Sequence, residues 1–240
     1  MLSRTAERAL HAYGGADVWS KAESVAAEIT MSGLLFRLKR RVTPPRAHII
    51  TDIRSPHATI TPVDRYGNTG TLNGFTVSLA AADGSVIDTR QDARSRGENQ
   101  HVLKAWDTLD LMYFLGYAFW NYFSLPYQLL RDDIEWREVQ DGLLEAHYPP
   151  ELPVHTRLQR FYFDRTGLLV RNDYCAEFVS SRRRVWAANI VLQHKTWYEI
   201  PYPAVRRVCP TNEQFGRPSA WIKVVGIQVD DWRLVNGGTA

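Results

Sequence analysis

The chain has 240 residues and a mass of 27.5 kDa, a size at which all-β proteins form one domain, so we expect residues 1–240 to be a single domain. Hydrophobic residues make up 45% and charged residues 23%, which excludes disordered, collagen-like and coiled-coil proteins. A net charge of +3, from 29 basic and 26 acidic residues, is too balanced to indicate a nucleic-acid-binding protein.

The first half of the sequence is mainly patterned as β-strands. A short helix is predicted over residues 3–13, because apolar residues recur at helical spacing until Gly14 and Gly15 end it. From Ser24 onward apolar and polar residues alternate, which predicts an antiparallel meander. Its strands are predicted at residues 24–29, 34–42, 47–53, 58–63, 75–80 and 85–89.

A charged stretch without periodicity, residues 91–104, predicts a mobile loop that flanks an opening. Residues 111–130 then contain no charge and eight aromatic rings, so we predict a helical insertion at about residues 105–131. The length suits a transmembrane helix. However, Asn121, Ser124 and four tyrosines favour a buried helix in a protein that does not cross a membrane.

Strands resume after the insertion. They are predicted at residues 143–148, 158–163, 168–179, 185–198, 205–209 and 221–234, and the tail at 236–238 is expected to fray. The two halves together give about eleven strands. The fold class is therefore mainly β with a helical insertion, built as a strongly curved antiparallel sheet around a buried aromatic helix.

One face of the predicted helix combines rings with polar groups. Tyr113, Tyr117, Trp120 and Asn121 present hydroxyls, an indole N–H and an amide on the same side. A mixed surface of this kind suits a ligand cavity. The alternative is a core helix whose tyrosines bond to the backbone of the strands.

Three polar residues fall at inward positions of predicted strands. Arg40 shares the apolar phase of residues 34–42, where it could meet an acidic ligand or extend its guanidinium to solvent from the strand end. Asn172 and Tyr174 lie in register on residues 168–179. They are candidates for a cavity wall or for a hydrogen-bonded core pair.

Candidate catalytic residues are few. His147 follows Glu145 by two residues on a predicted strand, a spacing that suits a base and its orienting group or an ordinary surface pair. Asp107 and Asp110 precede the aromatic helix, where capping of the helix explains them. Tyr174, His147 and Asp110 are the acid–base candidates if the protein is an enzyme. No nucleophile elbow, dinucleotide fingerprint or Walker motif occurs in the sequence.

The sequence predicts neither a metal site nor a cofactor. Its seven histidines are scattered, and its two cysteines, Cys175 and Cys209, are expected to be reduced packing residues. No apolar stretch of signal-peptide length precedes Gly14, so we expect a cytoplasmic protein. The sequence does not indicate an oligomeric state.

Several motifs resemble a family of uncharacterised bacterial proteins over roughly residues 10–235. The motifs are Tyr13-Gly14-Gly15 with Trp19, Trp106-Asp107, Tyr113-Phe114-Leu115-Gly116-Tyr117-Ala118 with Trp120-Asn121-Tyr122, Phe161-Tyr162-Phe163-Asp164, Gly167-Leu168-Leu169 and Asp173-Tyr174. The family usually has histidine where this chain has Tyr13. The resemblance implies a lipoprotein-carrier (LolA-like) half-barrel with an apolar interior, and it implies no catalytic residue.

Three hypotheses for function follow. The first is a module that binds a hydrophobic small molecule, such as a lipid, an acyl chain or a polyketide- or terpenoid-like compound, in the half-barrel. The alternative is a cofactor-independent cyclase or isomerase of secondary metabolism that acts on an apolar substrate in the same cavity. The third is a structural partner protein whose aromatic helix fills its own core and leaves no cavity.

Overall fold

Both halves of the chain contribute to one antiparallel sheet of thirteen strands. The computed structural model describes residues 2–219 and 221–236, so part of the predicted tail, residues 237 and 238, lies outside the described residues. The strands are β1 (Ala22–Ser32), β2 (Ala47–Asp52), β3 (His57–Thr61), β4 (Thr69–Asn73), β5 (Thr76–Ala80), β6 (Val86–Arg90), β7 (Glu135–Gln140), β8 (Leu143–His147), β9 (Leu158–Phe163), β10 (Leu169–Cys175), β11 (Trp186–Trp197), β12 (Ile200–Pro210) and β13 (Val225–Asn236).

The first strand, β1, lies in the middle of the sheet, and the last strand, β13, lies beside it. It runs outward from β1 to the edge strand β6, crosses to the opposite edge at β7, and returns strand by strand to β13. β13 then pairs with β1, with Val25 opposite Leu234 and Ile29 opposite Val229. The sheet is curved and unclosed, which confirms the predicted fold class, although it has thirteen strands rather than about eleven.

Five α-helices accompany the sheet in the part of the chain that the structure describes. They are α1 (Arg4–Ala12), α2 (Ala16–Lys21), α3 (Leu34–Leu38), α4 (Thr108–Phe123) and α5 (Leu125–Gln128). α4 is the predicted aromatic helix, and it packs against β2, β3, β4 and β5. Every residue of α4 from Leu109 to Phe123 is buried, as expected for a helix that is apolar on all sides. None of the helices among the described residues has the length and hydropathy of a membrane span.

The start of α4 and its seat on the sheet follow from particular residues. Asp107 caps the helix by accepting from the backbone N–H of Asp110 at 2.7 Å, and Asp110 accepts in return from the N–H of Asp107. Gly116 of α4 faces Leu72 of β4, where a methyl group on Gly116 would lie 2.8 Å from the Leu72 Cβ. This glycine therefore lets the helix approach the first half of the sheet closely.

The predicted strand at residues 34–42 is wrong, because Leu34–Leu38 form helix α3. Gly33, at φ +137°, turns the chain where any side chain would overlap the Val224 carbonyl. Leu35 and Phe36 are both buried, a pattern of consecutive residues that suits a helix rather than a strand.

Two strands are additional to the prediction. β4 contains Gly70 and few apolar residues, and β7 is an edge strand whose side chains are largely exposed, so neither has a clear alternating pattern. Residues 91–104, predicted as a loop, contain a 3₁₀ turn over Arg94–Asn99. The α1 helix, the aromatic helix and most other strands lie within a few residues of their predicted bounds.

Candidate ligand-binding site

An apolar cavity lies between α4 and the second half of the sheet. The helix contributes Phe114, Leu115, Ala118, Phe119 and Tyr122. Opposite them lie Leu35 and Phe36 of α3 and Tyr174, Ala187, Val208 and Ile227 of four successive strands. All lining residues are aliphatic, aromatic, methionine, cysteine or proline, and the cavity has a volume of about 70 Å³. The predicted helix, curved sheet and adjoining empty space are thus present together.

Two tyrosines and a histidine form a hydrogen-bonded cluster in the wall of this cavity. The Tyr122 hydroxyl lies 2.9 Å from the Tyr174 hydroxyl and 2.9 Å from Nε2 of His155. The His155 ring also stacks on the Tyr174 ring at 3.8 Å between centroids, with the planes 2° apart. Among the described residues, Tyr122 and Tyr174 contribute the hydroxyl groups that line the apolar cavity, and this arrangement satisfies both.

Burial keeps all three members of the cluster neutral. It raises the pKa of Tyr122 and of Tyr174 above the ordinary value of 10.0, and it lowers the pKa of His155 from 6.5 to about 3. A general acid or base works best with a pKa near the ambient pH. The cluster is therefore suited to a fixed polar wall and poorly suited to proton transfer at neutral pH.

Arg206 of β12 lies directly behind Tyr122. Its guanidinium carbon is 4.8 Å from the centre of the Tyr122 ring, a cation–π contact. The residue is 2% exposed, yet Nε, Nη1 and Nη2 all lack a hydrogen-bond partner in the described part of the chain. Burial lowers the pKa of Arg206, against the opposing influence of neighbouring tyrosines. A buried and unpaired cation costs several kcal/mol, so Arg206 is an unusual feature of the interior.

A second, smaller cavity adjoins Arg206. Its volume is about 20 Å³, and its lining includes Arg206, Tyr13, Tyr122, Tyr202 and Trp232. Tyr122 lines both this cavity and the larger apolar one, so its side chain lies between the two spaces.

Asn189 of β11 is the second unsatisfied polar group in this region. It is fully buried, and neither its amide nitrogen nor its amide oxygen has a partner among the described residues. Asn189 is paired with Val208 across the strands, and Arg206 is paired with Val191. Asn189 and Arg206 are thus diagonal neighbours on the inner face of the sheet.

The sequence prediction missed Arg206, although a signal was present. Every second residue of β12 lies on its buried side, namely Ile200, Tyr202, Ala204, Arg206 and Val208. The predicted strand began only at residue 205, so the apolar phase that leads to Arg206 was not followed. Prolines at positions 201 and 203 concealed the first part of this strand.

A polar cleft lies on the other side of His155. The cleft has a volume of about 380 Å³ and is lined by Tyr113, Tyr117, His155, Cys175 and Glu177. Residues of the 91–104 segment, including Arg94 and Gly97, form another part of its wall. His155 separates this cleft from the Tyr122 hydroxyl.

The structure distributes the predicted ligand-binding residues over different places. Tyr174 lines the apolar cavity, whereas Tyr113 and Tyr117 line the polar cleft. Trp120 is fully buried and lines none of the three cavities described above. Asn121 donates to the Tyr148 hydroxyl at 3.0 Å inside the core. The predicted helix face is therefore divided between the cleft and the core.

Asn172 and Arg40 also lie away from the apolar cavity. The Asn172 amide donates to Oε1 of Gln159 at 3.2 Å, which matches the alternative of a hydrogen-bonded core residue. Arg40 is exposed, because it lies in the turn that follows helix α3 rather than on a strand with an inward phase. The buried cation of this segment is Lys39, whose Nζ donates to the Val179 carbonyl at 2.7 Å.

The three predicted acid–base residues are not brought together. Asp110 caps α4 and accepts from Arg90 at 2.9 Å, and His147 lies half-exposed with Nε2 3.5 Å from a carboxylate oxygen of Glu145. Tyr174 makes its polar contact with Tyr122 in the interior. Among residues 2–219 and 221–236, no three His, Cys, Asp or Glu side chains are arranged to hold a metal ion.

No family model matches the sequence, and the comparison with curated proteins finds no match. Among solved structures, the chain is similar to a DUF1329 family protein from Desulfovibrio piger, with a TM-score of 0.54 and 13% identity over 98% of this chain and 93% of that one. A LolA superfamily protein from Nitrosomonas europaea has a TM-score of 0.49 and 8% identity over 99% of this chain and 96% of that one. The lipoprotein LppX of Mycobacterium tuberculosis has a TM-score of 0.34 and 11% identity over 99% of both chains. The likeness to the DUF1329 family protein concerns the fold alone.

Proposed function

We propose that the protein binds a hydrophobic small molecule, such as a lipid, an acyl chain or a polyketide- or terpenoid-like compound, in the cavity between α4 and strands β10–β13. The observation that carries this proposal is the cavity wall itself, which is apolar apart from the already bonded hydroxyls of Tyr122 and Tyr174. Such a space stays dry, and a ligand that fills it gains about 25 cal/mol for each Å² of apolar surface it buries.

Two features favour binding over catalysis by a cyclase or isomerase. The pKa values of the Tyr122, Tyr174 and His155 side chains are displaced away from neutral pH, and the other two acid–base candidates, His147 and Asp110, lie elsewhere. A structural protein without a ligand is disfavoured by the empty space beside α4. Within this proposal we keep the expectations of one domain, a cytoplasmic location and no nucleic-acid partner, which cell fractionation and binding assays test.

The first test asks whether the cavity is occupied. We expect organic extracts of the purified protein, analysed by mass spectrometry, to contain an apolar compound. We also expect the neutral fluorescent probe N-phenyl-1-naphthylamine to bind the delipidated protein. A clean extract together with no probe binding would contradict the proposal.

The second test fills the cavity from the helix side. Ala118→Leu places three more carbon atoms in the cavity at a helical position, and we expect probe binding to weaken about tenfold or more because the ligand and the leucine compete for the same space. The melting temperature should stay equal or rise, since filling a cavity stabilises a protein. Ala105→Leu, at an exposed residue, is the matched control. Equal probe affinity in both variants would exclude this cavity as the site.

A further inference from the structure

Arg206 lies in the interior without a counter-ion. It is 2% exposed, and all three of its side-chain nitrogens lack a hydrogen-bond partner within the described chain. The ionisable side chains that influence it are Tyr13, Tyr122 and Tyr174, and it in turn acts on His194. Tyrosine hydroxyls are neutral at physiological pH, and burial lowers the pKa of His194, so none of these groups supplies a negative charge.

The surroundings of Arg206 are those of an anion site rather than of a structural ion pair. A guanidinium has five N–H donors in a planar fork that matches a carboxylate. Here that fork lines a small cavity instead of meeting Asp or Glu.

We propose that the ligand is an apolar acid whose carboxylate binds Arg206 while its hydrocarbon part occupies the cavity beside α4. This inference rests on the proposed function, because it assigns the head group of the same ligand. Tyr122 lines both cavities, and the proposal places the ligand along this side chain, with its tail in the apolar cavity and its carboxylate at the guanidinium.

The space at Arg206 favours a carboxylate over a larger anion. The cavity at Arg206 has a volume of about 20 Å³, whereas one water molecule needs about 10–15 Å³ measured in the same way. A planar carboxylate requires less room than a tetrahedral phosphate ester. We therefore expect an acid to bind most tightly, and the neutral alcohol and the phosphate to bind less tightly.

The test uses three probes with the same tail, namely decanoic acid, decanol and decyl phosphate. We measure how well each probe displaces N-phenyl-1-naphthylamine from wild type, Arg206→Met, Arg206→Lys and the control Arg207→Met. Arg207 is the next residue along β12, and its side chain points to the other face of the sheet. For wild type and Arg207→Met we expect decanoic acid to bind about tenfold or more tightly than decanol. Arg206→Met should abolish this preference and keep the affinity for decanol, whereas Arg206→Lys should retain part of the preference.

The possible outcomes separate this inference from the proposed function. If none of the three probes displaces the fluorophore from wild type, the proposed function fails and the inference fails with it. If wild type binds decanoic acid and decanol equally, only the assignment of Arg206 is overturned. Tighter binding of decyl phosphate than of decanoic acid would overturn the carboxylate in favour of a phosphate. Melting curves of each variant show whether it is folded, and equal losses for acid and alcohol in Arg206→Met would identify a merely structural residue.

Discussion

His155 is 1% exposed, and the folded protein holds its imidazole neutral. Burial lowers the pKa of His155 from 6.5 to about 3. In the unfolded chain the same side chain takes up a proton as the pH falls through 6.5, so the unfolded state binds more protons across this window. The free energy of unfolding must therefore decrease as the pH falls from about 6.5 towards about 3.

We predict that protonation of His155 in the unfolded chain lowers the free energy of unfolding by about 2 kcal/mol between pH 7 and pH 5. Urea unfolding of wild type and His155→Gln at both pH values measures it. The variant is expected to lose about 2 kcal/mol less than wild type over this interval, whatever its stability at pH 7. His101→Gln, at an exposed histidine, is the control. The prediction is wrong if the two variants show the same change with pH.

At the scale of single residues, the sequence identified residue types better than their positions. Tyr174 was predicted from its register on a strand, and it does line the cavity. Arg40 was predicted from the same kind of register and is exposed, because its segment folds as a helix. Arg206 and His155 reach the region through strand pairing and long-range packing, which local alternation does not encode.

At the scale of elements, α4 depends on glycine at its contact with β4. A methyl group on Gly116 would lie 2.8 Å from the Cβ of Leu72, an atom that the backbone of β4 holds in place. A methyl group on Gly70 would overlap the sulfur of Met112, which is the flexible end of a side chain. The first overlap requires the helix to move, whereas a change of rotamer relieves the second.

We therefore expect Gly116→Ala to lower the free energy of unfolding by about 1–3 kcal/mol, despite the higher helix propensity of alanine. Gly70→Ala should cost clearly less, since Met112 can adapt. Urea unfolding of both variants provides the measurement. A stabilised Gly116→Ala variant would mean that α4 is free to move away from β4, and it would weaken the assignment of the empty space to its opposite side.

Composition made the central element predictable, and weak patterns hid others. A stretch of twenty uncharged residues with eight rings indicates a buried helix wherever it lies in the fold, and α4 begins just before this stretch and ends within it. α3 was mistaken for a strand because five residues are too few to distinguish the two periods. β7 was missed because its side chains are exposed or only half-buried, so its sequence has no clear apolar phase.

At the scale of the whole molecule, the neighbouring antiparallel strands of each half could be predicted from local sequence, but the strand pairing that joins the two halves could not. Alternation and turn residues predict neighbouring antiparallel strands. The pairing of β1 with β13 joins residues that are about as far apart in sequence as the chain allows, such as Val25 and Leu234. This single junction makes one curved sheet from the two halves and places β10–β13 opposite α4, where they complete the cavity.

The two free edges of this sheet are protected unequally. β7 is tied to α1, where Glu138 accepts from the Thr5 hydroxyl at 2.7 Å. β6 is exposed, with Val86 at 69% and Ile87 at 53% exposure. Asp88 is the charge that interrupts this apolar edge, and charged side chains on edge strands oppose pairing with a second molecule.

We predict that Asp88→Val causes self-association through β6 without changing the stability of the monomer. The substitution creates a run of β-branched residues with unpaired backbone groups along the edge, the kind of segment that recruits further strands. Light scattering during incubation at increasing protein concentration measures the association, and urea unfolding at low concentration should agree with wild type within about 0.5 kcal/mol. Asp17→Val, which removes an exposed charge from α2, is the control for the change in net charge. Equal scattering by the two variants would show that the curvature of the sheet, rather than the charge at its edge, keeps β6 from pairing.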